Sequence, residues 1–518
     1  MRPGSILIMA VLLIACGIKT FAQSDRPEKN IKDDFIKIGN EEQLFPDDFL
    51  IKSSSNIIRK MHPAEKYPGN PVLWPSEKWE NLTAVTYGSV ILDDGKYKMW
   101  YKVGDGGEAG GVGYAESVDG IKWEKPLFDK VLIGGHLTNM LFKKTGNFSG
   151  PEALPTFFEI FGVHKDESDP DPSHRYKMGF LSIIRPYSGP RPDPFHPTDR
   201  RGLGVAGSPD GINWTLIDPY ASEAISDGDT HWMFDPKRGK YVLYGRTKLT
   251  LPEVEKAWSK YDWYNTWHSG RSSARLESPD FLHWDFTEPA SAPVVMTADS
   301  GDEPGTEIYS MLVFPYESVY IGLIQVFHAR PDRDYLEIQL AMSRDSYNFT
   351  RLGERKAFIP VGEIGSWDRF NNSLANNPPI AVGDELRFYY GGRLYRHSPY
   401  KGKDTAGTGG GIGFASIKRG RFVSLEASFD GGTVTTMPMV FSGSQLFVNA
   451  NCRFGSVEIS LADENGREIP GWTSTLEGKD NIAIPVTFNP GDFRSFSGQK
   501  ISFIFKISNA QLYGFRII

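Results

Sequence analysis

Two acidic residues open the chemical reading of this sequence. Asp229, in the run Asp227-Gly228-Asp229-Thr230-His231, lies 12 residues before Tyr241, and Glu307, in Glu307-Ile308-Tyr309, lies 13 before Tyr320. The near-equal offsets place both carboxylates at similar positions ahead of strand-like segments. Two carboxyl groups facing one centre can split a glycosidic bond, one protonating the leaving oxygen while the other activates water or attacks the sugar. With His231 beside the first of them, Asp229, Glu307 and His231 form the expected catalytic set. Glu80 and Asp368 precede other strand-like runs, and Arg246, His328, Arg393 and His397 follow such runs; together with Tyr309 these seven are read as substrate-binding. Glu152 or Glu159 is a further acid in the same kind of position. Guanidinium forks hold carboxylate or sulfate groups bidentately, so Arg246, Arg271, Arg330, Arg393 and Arg396 point to an anionic oligosaccharide as partner. The same residues permit a second chemistry: His231, His328, His397 or Tyr309 takes the C5 proton of a uronate whose carboxylate an arginine neutralises, and a lyase or dehydratase leaves an unsaturated sugar. A third possibility is a glycan-binding lipoprotein without turnover. No HExxH, CxxC or other tight metal-ligand spacing occurs, so neither a metal nor a cofactor is implied.

The elements that must position these residues come from an internal repeat. Gly113-Tyr-Ala-Glu-Ser117-Val-Asp119-Gly120-Ile-Lys-Trp123 recurs as Gly204-Val-Ala-Gly-Ser208-Pro-Asp210-Gly211-Ile-Asn-Trp214, and weaker copies carry Ser278, Asp280 and Trp284, then Ser343, Asp345 and Phe349, then Ser416 and Phe422. In all five the serine precedes the aromatic by six residues, and the copies start 91, 70, 65 and 73 residues apart. Each follows a pair of aromatic-rich strand-like runs with a turn between them, such as Gly88 to Leu92 and Tyr97-Lys98-Met99-Trp100-Tyr101. Two strands, a loop, a third strand ending at the serine and a fourth bearing the tryptophan make a four-stranded antiparallel sheet. Five such sheets bury their faces by stacking around an axis as a five-bladed β-propeller. The Asp-Gly pair is turn chemistry and the tryptophan is packing, so the repeated motif is scaffold. The long connections Ile183 to Arg201, Thr247 to Arg271 and Arg393 to Gly411 open on one face, the mouth where function belongs.

Composition agrees with this all-β class. Gly 54 and Pro 35 together make about 17% of 518 residues, a turn-rich chain. The net charge of −7 excludes a general nucleic-acid binder. The two cysteines, Cys16 and Cys452, leave no disulfide framework. Ile6 to Ala15 is an apolar run of ten, the size of a signal-peptide core and too short for a membrane span. Leu13-Ile14-Ala15-Cys16 reads as a lipobox that would lipidate Cys16, and Thr20-Phe21-Ala22 before Gln23 reads as an ordinary cleavage site. Either route exports the chain, as a periplasmic or outer-membrane lipoprotein or as a secreted protein with no transmembrane span. The expected organisation is a signal at 1–22, an extension at 23–64, the propeller at 65–425 and a small β-sandwich at 432–518.

Asn70-Pro71-Val72-Leu73 followed by Trp79-Glu80, the blade Gly95-Lys96-Tyr97-Lys98-Met99-Trp100-Tyr101, and the Ser-x-Asp-Gly-x-x-Trp blade ends resemble the five-bladed glycosidase superfamily of glycoside hydrolase families 32, 43, 117 and 130. The resemblance covers about residues 65 to 425, and the added sandwich is similar to the arrangement in family 32. It implies a propeller-based, exo-acting glycoside hydrolase. Those families commonly place an Asp base in blade I and a Glu acid in blade III, where this chain has Glu80 and Asp229 instead; the Asn-Asp-Pro and Arg-Asp-Pro signatures of fructosidases are missing.

Overall fold

The computed structural model describes residues 35–80, 83–104, 110–143, 157–167, 169–397 and 409–518. Cys16, the export signal and Glu152 lie outside them. The chain is all-β: five antiparallel blades follow one another around one axis, the first strands of blades V, I, II, III and IV touching in turn, and blade V closes on blade IV through the second and third strands of blade IV, where Leu336 bridges Asn371 in parallel. Blade I runs Ala84–Asp93, Lys96–Val103, Gly111–Ser117 and Met140–Lys143; blade II runs Phe157–Lys165, Tyr176–Ile184, Arg200–Ser208 and Thr215–Ser222. Blade III runs His231–Asp235, Lys240–Lys248, Arg271–Ser278 and Val294–Met296, and blade IV runs Thr306–Tyr316, Val319–His328 and Tyr335–Ser343 with two short pieces, Phe349–Arg351 and Ala357–Ile359, along its outer edge. Blade V has Asn371–Leu374, Glu385–Arg393 and Gly410–Lys418, and its outer strand is Glu65–Lys66, supplied from ahead of blade I.

The Ser-x-Asp turn behaves as scaffold. Ser117, Ser208, Ser278 and Ser343 each donate their hydroxyl to the aspartate two residues on, and that aspartate accepts two backbone N–H groups of the turn, those of Ile121 and Lys122 in the first copy. The turn also locks neighbouring blades together. Trp100 of blade I donates its indole N–H to the Gly211 carbonyl (2.7 Å), Tyr244 of blade III its hydroxyl to Ser346 (2.8 Å), and Tyr389 of blade V its hydroxyl to Gly120 (2.8 Å). The accepting residue has positive φ in each case, 80°, 63° and 72°, which is why glycine is favoured there. One expectation needs correction: the repeat's aromatic rides on the outer strand in blade IV alone, where Phe349 pairs with Ser343. Trp123 and Trp284 lie outside strands, and Trp214 and Trp284 fold back to donate to Gly211 and Phe281 of their own turns. Fourth strands come later, and that of blade V comes from the other end of the chain.

Two further sheets enclose a second core, containing Phe45, Val448, Ile459, Phe503, Phe505 and Phe515 and the buried thiol Cys452. The segment expected as a plain extension is part of this sandwich: Gln43–Leu44 and Ile58–Met61 join one sheet and Ile51–Ser55 the other. Val423–Ala427, expected at the end of the propeller, also pairs into it, with Ala510–Ile517. The sandwich meets the propeller through Arg344 with Asp47 (2.8 Å), Arg421 with Asp480 (2.6 Å) and Arg516 with Glu317 (2.6 Å). The propeller residues of these pairs stand at the strand ends of blades IV and V opposite the mouth. Among the described residues no helix is long and apolar enough to cross a membrane.

Candidate active site

Residues from all five blades converge where the first strands begin and the second strands end. Tyr87 and Lys102 come from blade I, Glu159 and Arg201 from blade II, Asp227, Asp229, Arg246 and Arg271 from blade III, Tyr309 and Ser310 from blade IV, and Arg393 and His397 from blade V. The link between them is a chain of polar contacts. Arg246 stacks its guanidinium 3.9 Å from the centre of the Tyr309 ring, donates twice to the Tyr309 carbonyl and pairs with Asp227 at 2.9 Å. The Tyr309 hydroxyl lies 3.1 Å from His397 Nε2 and 3.4 Å from the Tyr87 hydroxyl. Lys102 pairs with Glu159 (2.7 Å), which lies against the Asp227–Asp229 loop: a side chain at Gly228 would come 3.1 Å from a Glu159 oxygen.

Asp227 and Asp229 sit two residues apart in opposite electrostatic settings. Asp229 has positive φ (60°) and a side chain only 3% exposed, accepts from Ser310 Oγ at 3.2 Å and has His231 Nε2 at 3.5 Å. Burial raises its carboxyl to about 7, the Glu159 charge adding to the rise and Arg246, Ser310 and Arg393 opposing it. Asp227 keeps 34% of its side chain accessible. Burial pushes its carboxyl up as well, but the Arg246 charge, the Gly228 N–H and the charges of Arg201 and Arg271 outweigh that and hold it at about 2. Below about pH 7 one carboxyl of the loop therefore holds a proton while the other is ionised.

The remaining expected residues divide by their surroundings. His231 is buried behind Asp229, 3.4 Å from Ser310 Oγ, and burial drives its imidazole down to about 3, so it stays neutral and positions Asp229. His397 is also held neutral, by burial and then by the charges of Arg271, Arg393 and Arg246. Arg393 lies 5.9 Å from the centre of the Tyr87 ring, within the cluster.

Glu307 departs most from expectation. It is wholly buried, and its oxygens accept the backbone N–H groups of Ser269 and Gly270 and the guanidinium of Arg271, with His268 at 3.3 Å. It fastens the end of the blade III insertion, which carries the helix Pro252–Trp258, to blade IV. The shared register with Asp229 fails because the blade III hairpin turns through four residues, Pro236 to Gly239, and the blade IV hairpin through two, Glu317 and Ser318. Correcting for those two residues alone makes Ser310, ten residues before Tyr320 and opposite Gln325 as Asp229 is opposite Arg246, the blade IV counterpart of Asp229.

Three more expected binding residues are fasteners. Glu80 is fully buried and accepts from Tyr101, Lys125 and two backbone N–H groups, those of Ser76 and Glu77. Asp368 ties the closing strand to blade V through Lys66 (2.6 Å) and Tyr390 (2.9 Å). His328 faces Glu337 (3.3 Å) and stacks on Tyr335, one strand outward. The residues missed are Tyr87, Lys102, Arg201 and Ser310. Lys102 had a signal: it lies five residues after Tyr97, as Arg246 lies five after Tyr241.

No protein-family model matches the chain, and no curated protein matches it. Among solved structures it is similar to an N-acetylgalactosamine deacetylase from F. plautii in complex with blood group B trisaccharide, at 13% identity over 70% of this chain and 96% of that one, with a TM-score of 0.42. It is also similar to a structure from work on the GH130 family of mannoside phosphorylases (17% identity, 69% and 94% covered, TM-score 0.42). A third is a family 43 arabinoxylan arabinofuranohydrolase from Bacillus subtilis in complex with cellotetraose (13%, 88% and 99%, TM-score 0.37). The solved structures similar to this chain thus include members of glycoside hydrolase families 43 and 130, two of the families that its blade motifs resemble.

Proposed function

We propose that the protein is a carbohydrate-active enzyme, an exo-acting glycoside hydrolase that cleaves a terminal unit from an acidic or sulfated oligosaccharide. The observation that carries this reading is the loop with one carboxyl near 7 and its neighbour near 2. Two carboxyls driven apart in pKa at one site are the equipment of acid and base catalysis. Asp229 is the acid that protonates the leaving oxygen, and Asp227, with Glu159 beside the loop, supplies the ionised carboxylate. The arginines around them favour an anionic sugar. The long connections of blades II and III around the mouth suit attack on a chain end. The apolar run Ile6 to Ala15 favours work outside the cytoplasm. The test is a screen of algal and plant oligosaccharides read by newly formed reducing ends, comparing the wild-type protein with Asp227→Asn and Asp229→Asn. Full activity in both variants would sink the assignment.

Elimination is the second reading, favoured by the Tyr309–His397 pair. A neutral imidazole 3.1 Å from a hydroxyl that lies beneath Arg246 can pass a proton between sugar carbon and leaving oxygen while arginine neutralises the uronate. The expected result of that chemistry is a product with the ultraviolet absorbance of an unsaturated uronate, lost by about 10²–10⁴-fold in Tyr309→Phe. A product without that absorbance eliminates this route.

A further inference from the structure

The cations of the mouth are not equally neutralised. Lys102 has Glu159, Arg246 has Asp227, and Arg201 has Asp199 at 2.7 Å. Lys248 has no hydrogen bond or ion pair among the described residues, and its ammonium is 4.9 Å from the centre of the Phe195 ring, in the long connection of blade II. Its direct partner across the strand pair is another cation, Arg271. Like charges set opposite one another in a sheet destabilise it. Here both partners are held in place: Glu307 clamps one end of the Arg271 guanidinium, and the Phe195 ring of the blade II loop faces the Lys248 ammonium. Arg271 keeps 22% of its side chain accessible, with its guanidinium 5.3 Å from the Phe327 ring. Its only hydrogen bond among the described residues is to Glu307, so the other arm of its fork is uncommitted. Burial first and then the Arg271 charge disfavour the protonated lysine by more than the nearby charges of Asp193, Glu307 and Asp227 favour it, so the pair is held together at a cost that an anion would relieve.

We propose that Lys248 and Arg271 form a subsite for the anionic substituent, a carboxylate or a sulfate ester, of a sugar unit at the outer edge of the mouth. The proposal rests on the carbohydrate reading of that mouth. Lys248 is two residues further along its strand than Arg246, about 6.6 Å at the usual rise, so the anion sits outward of the Asp227 and Asp229 carboxyls. Lys248 thus sets specificity without taking part in bond breaking. Phe195 gives the ammonium a cation–π face when the subsite is empty.

Binding can be measured without turnover, which separates this proposal from the catalytic one. The probes are sodium glucuronate and sodium sulfate, titrated by calorimetry at constant ionic strength, with methyl glucoside as the neutral control. We expect saturable binding of at least one anion by the wild-type protein, and the tighter of the two names the substituent. Lys248→Gln should weaken it roughly tenfold, about 1.4 kcal/mol, and Asp229→Asn should leave it in place while removing activity. Without anion, Lys248→Gln should melt no lower than wild type, because a repulsion has been removed. Equal anion affinity in wild type and Lys248→Gln, or no saturable binding of either anion, overturns the proposal whatever the enzyme proves to cleave.

Discussion

Asp229→Asn is expected to lower turnover by about two to four orders of magnitude, the worth of a positioned proton donor, and to melt higher than wild type at alkaline pH. The two effects share one cause. An unfolded aspartate ionises near 3.9, whereas the folded Asp229 carboxyl ionises at about 7. Below the unfolded value both states are protonated and the native state carries no penalty. As pH rises from there to about 7 the unfolded chain sheds a proton that the native protein keeps, so the stability contributed by this group falls; above that it is lost in full. Asparagine has nothing to ionise. The gap in Tm between variant and wild type should therefore widen from pH 5 to pH 8, and wild-type activity should decline through about pH 7 as the acid is lost. A variant that is inactive yet melts lower than wild type at every pH would mean that Asp229 holds the loop together rather than donating a proton.

The second large effect is on stability. Glu307→Ala should cost about 3–5 kcal/mol in chemical denaturation, the price of breaking a buried ion pair from one side. It leaves Arg271 without its carboxylate and two backbone N–H groups, of Ser269 and Gly270, without an acceptor. Glu307→Gln, which retains an acceptor for the N–H groups, should fall between. If Glu307→Ala instead kept its denaturation midpoint and lost only activity, the original pairing of Glu307 with Asp229 as two reacting carboxyls would be restored.

What could be read from the sequence, and what could not, follows the range of the forces involved. The blades were legible because each is local: the Ser-x-Asp turn is closed by hydrogen bonds within five residues, and its spacing to the aromatic strands repeats. Arg246, Tyr309, Arg393 and His397 come together in one cluster because strand ends point to the mouth, and the same count places Lys102 there. The pairing of Asp229 with Glu307 failed on a hairpin two residues shorter, a difference that distance along the chain cannot reveal without the turn lengths. Glu80, Asp368 and His328 were misassigned for another reason. An acid or imidazole ahead of or behind a strand looks the same whether it faces substrate or a lysine far away in sequence, and Lys66 lies 302 residues from Asp368. The outer strand of blade V and the N-terminal half of the sandwich were equally hidden, since both are long-range pairings.

That last pairing makes the chain a clasp. It enters the sandwich at residues 36–61, closes the ring with Glu65–Lys66, traces five blades and returns to the sandwich from Val423 onward. A cut after residue 425 would therefore not release a free propeller: it would strip Gln43–Leu44 and Ile51–Ser55 of their partner strands and bare Phe45. During synthesis the propeller can close once Gly410–Lys418 has emerged, but the sandwich cannot be completed before the last residues, and Gln43–Leu44 must wait, unpaired, for nearly the whole chain to follow.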